Sequence, residues 1–273
     1  MPATITHAYF AEDLFNILDK NTKKLISNKK KELMMFSQNT DPLMFYILTL
    51  KNGKKIRKLQ FVAHTEKINL FFENTIKYIK KNKYYNNPDV LVFLYGFICH
   101  FALDSTCHGY IDEKIAQSGV SHTEIEVEFD RSLMIEDGKD PVRQDLTKHI
   151  VPSMENASVI APFFQGAEPK QVKKALKGMI QNNHLLLAPS RLKRMLIYAI
   201  LRLSGNYKEM HGLLVNFEEN PACEDSTAKL HQVYAVAKRR AVMLIDAYGK
   251  YMAKEEALNT LYNYTFSGKE KEA

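Results

Sequence analysis

From Val90 to Leu103 the chain runs for fourteen residues with one histidine, His100, set in an otherwise uncharged and mostly apolar stretch. Leaving that many Val, Leu, Ile and Phe side chains in water costs roughly 1.5–3 kcal/mol for each, so the segment must lie inside the protein. It falls short of the ~20 apolar residues that a bilayer span needs, and it reads as a buried core helix. Burial then sets a chemical problem. His100, and Asp104 one helical turn further on, go inside with it, and polar or charged groups buried without partners cost several kcal/mol. A hydrogen bond between the two, or an ion shared by them, answers that cost.

The rest of the chain shows the same helical period, with proline and glycine falling mostly between segments. Helices are expected near 8–19, 22–35, 41–50, 55–82, 88–106, 121–136, 142–163, 169–182, 189–203, 206–215 and 225–263. Asp41-Pro42, Asn87-Pro88 and Ser190 supply helix-start chemistry. Gly109, Gly119, Gly138 and Gly166 are expected in loops, with 107–121 bending the chain between two helices. No strand pattern, repeat or linker is visible, so 1–273 is expected to be one all-α domain. Hydrophobic residues at 45% and charged residues at 25% exclude a disordered or fibrous chain. Three cysteines, Cys99, Cys107 and Cys223, show no C-x-x-C spacing and imply neither a disulfide framework nor a thiolate zinc site. The N-terminal residues form no secretory apolar run, and a cytoplasmic location is expected. A net charge of +7 favours phosphate-bearing or anionic partners, although lysine runs such as Lys77–Lys83 also read as solvated helix faces.

The chemistry concentrates in His100-Phe-Ala-Leu-Asp104, then His108, then His122-Thr-Glu-Ile-Glu126. Residues four apart on a helix point from one face, so His100 and Asp104 can converge, as can His122 and Glu126. A metal-free His–Asp bond explains an isolated H-x-x-x-D. The recurrence of the pattern within twenty-odd residues points instead to metal, and nitrogen and carboxylate donors without thiolates point to zinc at a catalytic or co-catalytic site.

With these motifs the sequence resembles the zinc-dependent phospholipases C, whose fold is shared by single-strand-specific zinc nucleases. The family signature is H-x-x-x-D, a further histidine, and H-x-x-x-E fourteen positions after it; His108 and His122 are fourteen positions apart, while the step from Asp104 to His108 is shorter than the pattern. The family also has an N-terminal histidine, an early aspartate and another histidine before the signature, and His7, Asp41 and His64 stand in that order. The resemblance spans residues 1 to about 130. It implies a multi-helix phospholipase C or zinc nuclease fold and two or three zinc ions: one held by Asp41, His64, His100 and Asp104, a second by His108, His122 and Glu126, and a third served by His7 and Asp104. It also implies that Asp41 orients or deprotonates the attacking water. In the family an N-terminal tryptophan completes the third site. This chain has no tryptophan, and the amine of Pro2 is the substitute the sequence offers.

The resemblance thus implies hydrolysis of a phosphodiester, foremost a phospholipid head group. Cleavage of single-stranded nucleic acid is the alternative substrate reading, and a metal-binding protein without catalysis is the third. His149, His184, His211 and His231 lack partners at motif spacing and are expected to be structural or surface residues. Glu124, Glu128 and Asp130 crowd Glu126, and of these only Asp130 shares its helical face.

Overall fold

The computed structural model describes residues 4–39, 41–44, 68–164 and 167–269. Among the described residues the fold is all-helical, without a strand. Its axis is α6, Pro88–Ser118, the apolar segment that the sequence places in the core. Asn87 caps it by accepting from the amides of Asp89 and Val90, Pro88 opens its first turn, and Gly119 closes it in the left-handed conformation (φ 69°). By length and composition α6 is able to cross a membrane, yet 94% of its apolar window is buried by the protein itself.

Preceding α6 are α1 (Thr4–Ile17), α2 (Lys20–Leu25), α3 (Lys30–Phe36), the single turn α4 (Asp41–Met44) and α5 (Ile68–Asn82). Following it are α7 (His122–Glu136), α8 (Met154–Ile160), α9 (Pro169–Leu186), α10 (Arg191–Leu203), the short α11 (Tyr207–Met210) and the long α12 (Glu224–Ala253). Helices α1, α3, α7 and α12 all pack on α6, with α12 lying along it most extensively. The shared core is aromatic: Phe71 stacks on Phe97 with ring centroids 3.8 Å apart, and Phe72 meets Phe97, Tyr248 and Tyr262.

Several helix boundaries differ from the sequence reading, each for a local reason. The expected 88–106 helix continues to Ser118, so no loop spans 107–121 and the bend is only Gly119 to Ser121. Gly109 is the residue that suggested a break. A single glycine costs a helix only about 1 kcal/mol, and Ile111 and Ile115 carry the apolar face past it. The 22–35 segment breaks between α2 and α3, where Ser27 and Asn28 take φ of 51° and 55°. Most of 142–163 is not helix: the Asp145 carboxylate takes the Thr147 amide and hydroxyl, turning the chain, a local bond that competes with helix. The 206–215 segment shortens to α11 and a 3₁₀ turn, and 225–263 ends as α-helix at Ala253, with a 3₁₀ turn at Thr260–Asn263. The parts of 41–50 and 55–82 at 45–67 lie outside the described residues.

Candidate metal centre

Three of the ligand-type residues sit on successive turns of α6. His100, Asp104 and His108 occupy positions i, i+4 and i+8 of one helix, so the short step from Asp104 to His108 is one helical turn. A second pair, His122 and Glu126, opens α7, whose start is fixed by a capping box between Ser121 and Glu124. Helix α1 brings His7 and α4 brings Asp41.

Asp104 is the hinge of the arrangement. Its Oδ1 lies 3.4 Å from His7 Nε2, and its Oδ2 lies 3.1 Å from His100 Nε2 and 3.7 Å from His108 Nε2. On one side of it His7, Asp41 and His100 present ligand atoms within 4.8 Å of one another, and all three are buried. On the other side His108, His122 and Glu126 do the same, with Glu126 buried and both histidines partly open to solvent. Glu126 Oε1 stands 2.9 Å from His122 Nε2 and 3.9 Å from His108 Nε2. The structure therefore brings seven of the eight residues singled out in the sequence into one connected cluster. The eighth, His64, lies outside the described residues.

Neighbouring groups hold the ligands in place. The backbone carbonyl of Ser37, after α3, accepts from His100 Nδ1 at 2.9 Å, which turns Nε2 toward Asp104. That contact depends on Gly96: a Cβ there would lie 2.7 Å from the Phe36 carbonyl carbon and 2.9 Å from the Ser37 amide. His7 is placed by Asp130, whose carboxylate accepts from the Ile5 amide (3.3 Å), the Thr6 amide (2.7 Å) and the Thr6 hydroxyl (2.6 Å). Asp130 thus caps the first turn of α1 from another helix and supplies no ligand atom to either group, although it shares a helical face with Glu126. Behind His122, Glu124 accepts from Ser121 and meets His211 Nε2 at 3.3 Å. Glu128 turns away from the cluster and accepts from Asn216 and the Asn220 amide.

Sequence reasoning missed Asp130 as a cap, and it read His211 as structural or surface without finding its partner, Glu124. The partners of Asp130 lie more than 120 residues away, and His211 meets Glu124 across 87 positions; no spacing rule reaches that far. His149, His184 and His231 lie outside the cluster: His184 meets Asp145 and His231 meets Glu136 and Ser132.

The electrostatics follow from burial. Burial and the neighbouring His100 hold the His7 imidazole well below its usual range. Burial works against the charge on His100 too, but Asp104 and Asp41 outweigh it and push that ring up to about 9. The two rings stack 4.1 Å apart, an arrangement that tolerates one positive charge but not two. Asp104 and Glu126 are held well below the usual carboxylate range despite their burial: Asp104 by His100, His108 and His7, Glu126 by His122 and His108. A nest of anionic carboxylates and imidazoles is what a divalent cation requires.

The donor set fits zinc on this structure's own terms. His7 Nδ1 is buried without a hydrogen-bond partner, an orphan that a metal would satisfy. A cavity of about 20 Å³ is lined by His7, Asp104, His108 and Glu126, enough for one water-sized occupant. Cys107 borders the same cavity, but burial pushes its thiol up, so it stays protonated and leaves coordination to nitrogen and oxygen.

An all-helical fold whose central helix delivers histidines and a carboxylate to a buried cluster, completed by an H-x-x-x-E helix, defines the phospholipase C and zinc nuclease type of domain. Residues 6–178 match the family described as zinc-dependent phospholipase C, and the chain belongs to that family. The match reaches well past residue 130, through α7, α8 and half of α9. No curated protein and no solved structure matches the chain.

Proposed function

We propose that the protein hydrolyses phosphodiesters of the phospholipid head-group type, with zinc held by the two ligand groups on either side of Asp104. The observation that carries this reading is Asp104 itself, a buried carboxylate shared by His7, His100 and His108 and so able to serve both groups. The buried group would be His7, Asp41 and His100, with His64 as the further ligand that the family pattern adds; the open group would be His108, His122 and Glu126.

Zinc at these positions supplies Lewis-acid polarisation of the phosphoryl oxygens and a water acidified toward neutral pH. The chain's own residues do the rest. His108 and His122 stand at the solvent-open end, where a phosphate group arrives. Asp41, buried beside His7 and His100, is the carboxylate placed to orient the attacking water and take its proton. As that water adds to phosphorus, the P–O bond on the lipid side breaks, and the leaving lipid oxygen takes up a proton from solvent, giving a lipid alcohol and a phosphate monoester. Asp104 and Glu126, held anionic by their histidines, would offset the charge of the bound ions rather than act as bases.

Elemental analysis of the purified protein, paired with assays on a short-chain glycerophospholipid and a chromogenic phosphodiester, tests the reading. Two or more zinc ions per chain are expected, with both metal and hydrolysis lost in His100→Ala and His122→Ala. Less than one tightly bound metal, or variants as active as the parent, overturns it. Single-stranded DNA is the control substrate, and faster cleavage of it than of the phospholipid would move the protein to the nuclease branch of the fold.

A further inference from the structure

Helix α10 is built inside out. Leu192, Met195, Leu196, Ala199, Ile200 and Leu203 recur at i, i+3, i+4, i+7, i+8 and i+11, which places them along one face. That face points away from the protein: Leu192, Met195 and Ile200 are each 64% exposed, Leu196 57% and Leu203 90%. The inward face buries only Leu201 and an arginine. Arg194 donates to the carbonyls of Ala188 and Val215 and lies over the Phe217 ring at 4.4 Å. Single exposed leucines are ordinary, but a continuous apolar stripe turned outward while an arginine is buried beneath it marks a face made for another surface.

Charge identifies that surface. From Ser190 to Lys208, across α10 and the turn after it, stand five lysines and arginines and no acidic residue, and of the five only Arg194 is buried. Glu209, Glu218 and Glu219 follow only after it, the last two sharing a cleft with Met195, so the basic residues belong to the helix that carries the stripe. Arg191 and Arg202 are exposed at the two ends of the stripe. An apolar face flanked by long basic side chains is the pattern of a helix lying in the head-group layer of a membrane, where anionic lipids draw the cations and the acyl boundary takes the leucines. A second copy of the chain fits poorly, because it would bring two strongly basic segments together.

The position completes the case. Met195, Tyr198 and Arg191 line one cleft with Glu124, and Glu124 lies between His122 and Glu126 at the start of α7. The cleft is thus shared between α10 and the first turn of α7, the helix that carries His122 and Glu126, and the stripe lies beyond residues 6–178, the part shared with the family. We propose that α10 docks the protein on anionic bilayers and so presents lipid phosphates to the His108–His122 end of the site. The use of that docking rests on the phospholipid reading; the docking itself does not.

The test is flotation of the purified, zinc-loaded protein with phosphatidylcholine vesicles containing or lacking phosphatidylserine. The parent is expected to float with the serine-containing vesicles and to bind the neutral ones about ten-fold more weakly, with added salt narrowing the gap. Leu196→Asp/Ile200→Asp, on exposed positions that leave the fold intact, is expected to weaken flotation about ten-fold or more while hydrolysis of a monomeric short-chain phospholipid stays at the parent rate. Arg191→Glu/Arg202→Glu is expected to lose the preference for anionic vesicles. No flotation of the parent overturns the proposal, as does flotation that the Asp variants leave unchanged. A parent dimer in gel filtration that the Asp variants dissolve also overturns it, assigning the stripe to a second copy. His122→Ala separates the two readings: docking predicts that it floats like the parent, so a parent that floats but hydrolyses nothing defeats the enzyme reading alone.

Discussion

Asp130 shows how a residue outside the ligand set controls the site. Its carboxylate satisfies the free amides of Ile5 and Thr6 at the start of α1, and His7 follows directly. Asp130→Ala leaves those buried donors unpaired, at a cost of about 2–3 kcal/mol in urea unfolding, and loosens His7. Zinc affinity is expected to fall with stability, whereas Asp130→Asn, which keeps an acceptor oxygen, should lose less of both. A fully stable Asp130→Ala protein would mean that α1 is anchored elsewhere. His149 gives a prediction in pH. Burial lowers its imidazole from 6.5 to about 4, so the unfolded chain takes up the proton first and the buried ring resists it. Stability from this residue is complete above pH 6.5 and is lost as pH falls toward 4, by about 3 kcal/mol. In His149→Gln, which cannot titrate, the acid loss measured by denaturant unfolding between pH 7 and 4.5 should be shallower than in the parent. Equal slopes would place the acid sensitivity in other groups.

At the scale of elements, α6 decides the fold and half of the site, and it also shows what was legible in the sequence. The apolar run from Val90 to Leu103 announced a buried helix because burial is a sum of many similar side chains that no distant contact can reverse. Its length past Cys107 was not legible, since Gly109 looks like a stop unless one knows what packs beyond it. The four-residue intervals through His100, Asp104 and His108, and from His122 to Glu126, were readable because helix geometry converts spacing into proximity. The approach of α3 to α6 was not, because it depends on the absence of a side chain. Two alanine substitutions on the same helix should therefore act in opposite directions. Gly96→Ala drives a Cβ into the Phe36 and Ser37 backbone, costing about 1–3 kcal/mol and pushing the Ser37 carbonyl off His100. Gly109→Ala meets no atom within 4 Å and should stabilise the helix by about 0.5–1 kcal/mol. Thermal melts of both variants decide the matter; a destabilised Gly109→Ala would mean that the backbone at that turn serves the neighbouring His108.

At the scale of the molecule, the metal centre joins elements that otherwise meet only in part. α1, α4, α6 and α7 each contribute a residue to the candidate groups, so an ion bound there would tie the N-terminal helices to the core and reward the native arrangement alone. A ligand that binds only the folded state stabilises it by about 2.7 kcal/mol at a hundred times its dissociation constant. In a chain of 273 residues each kcal/mol moves the melting temperature by about 2–4 °C. Chelation is therefore expected to lower the melting temperature by roughly 5–10 °C, with recovery on adding zinc and little recovery with magnesium, whose preference for six oxygen donors the imidazoles do not meet. His100→Ala should remove the response to zinc, because it opens the buried group at its centre. The amides of α1 should lose hydrogen-exchange protection on chelation before those in the middle of α6, since α1 reaches the centre through His7 while α6 is also held by the aromatic core. Uniform loss of protection across both helices would show instead that the ion supports the whole fold as one cooperative unit.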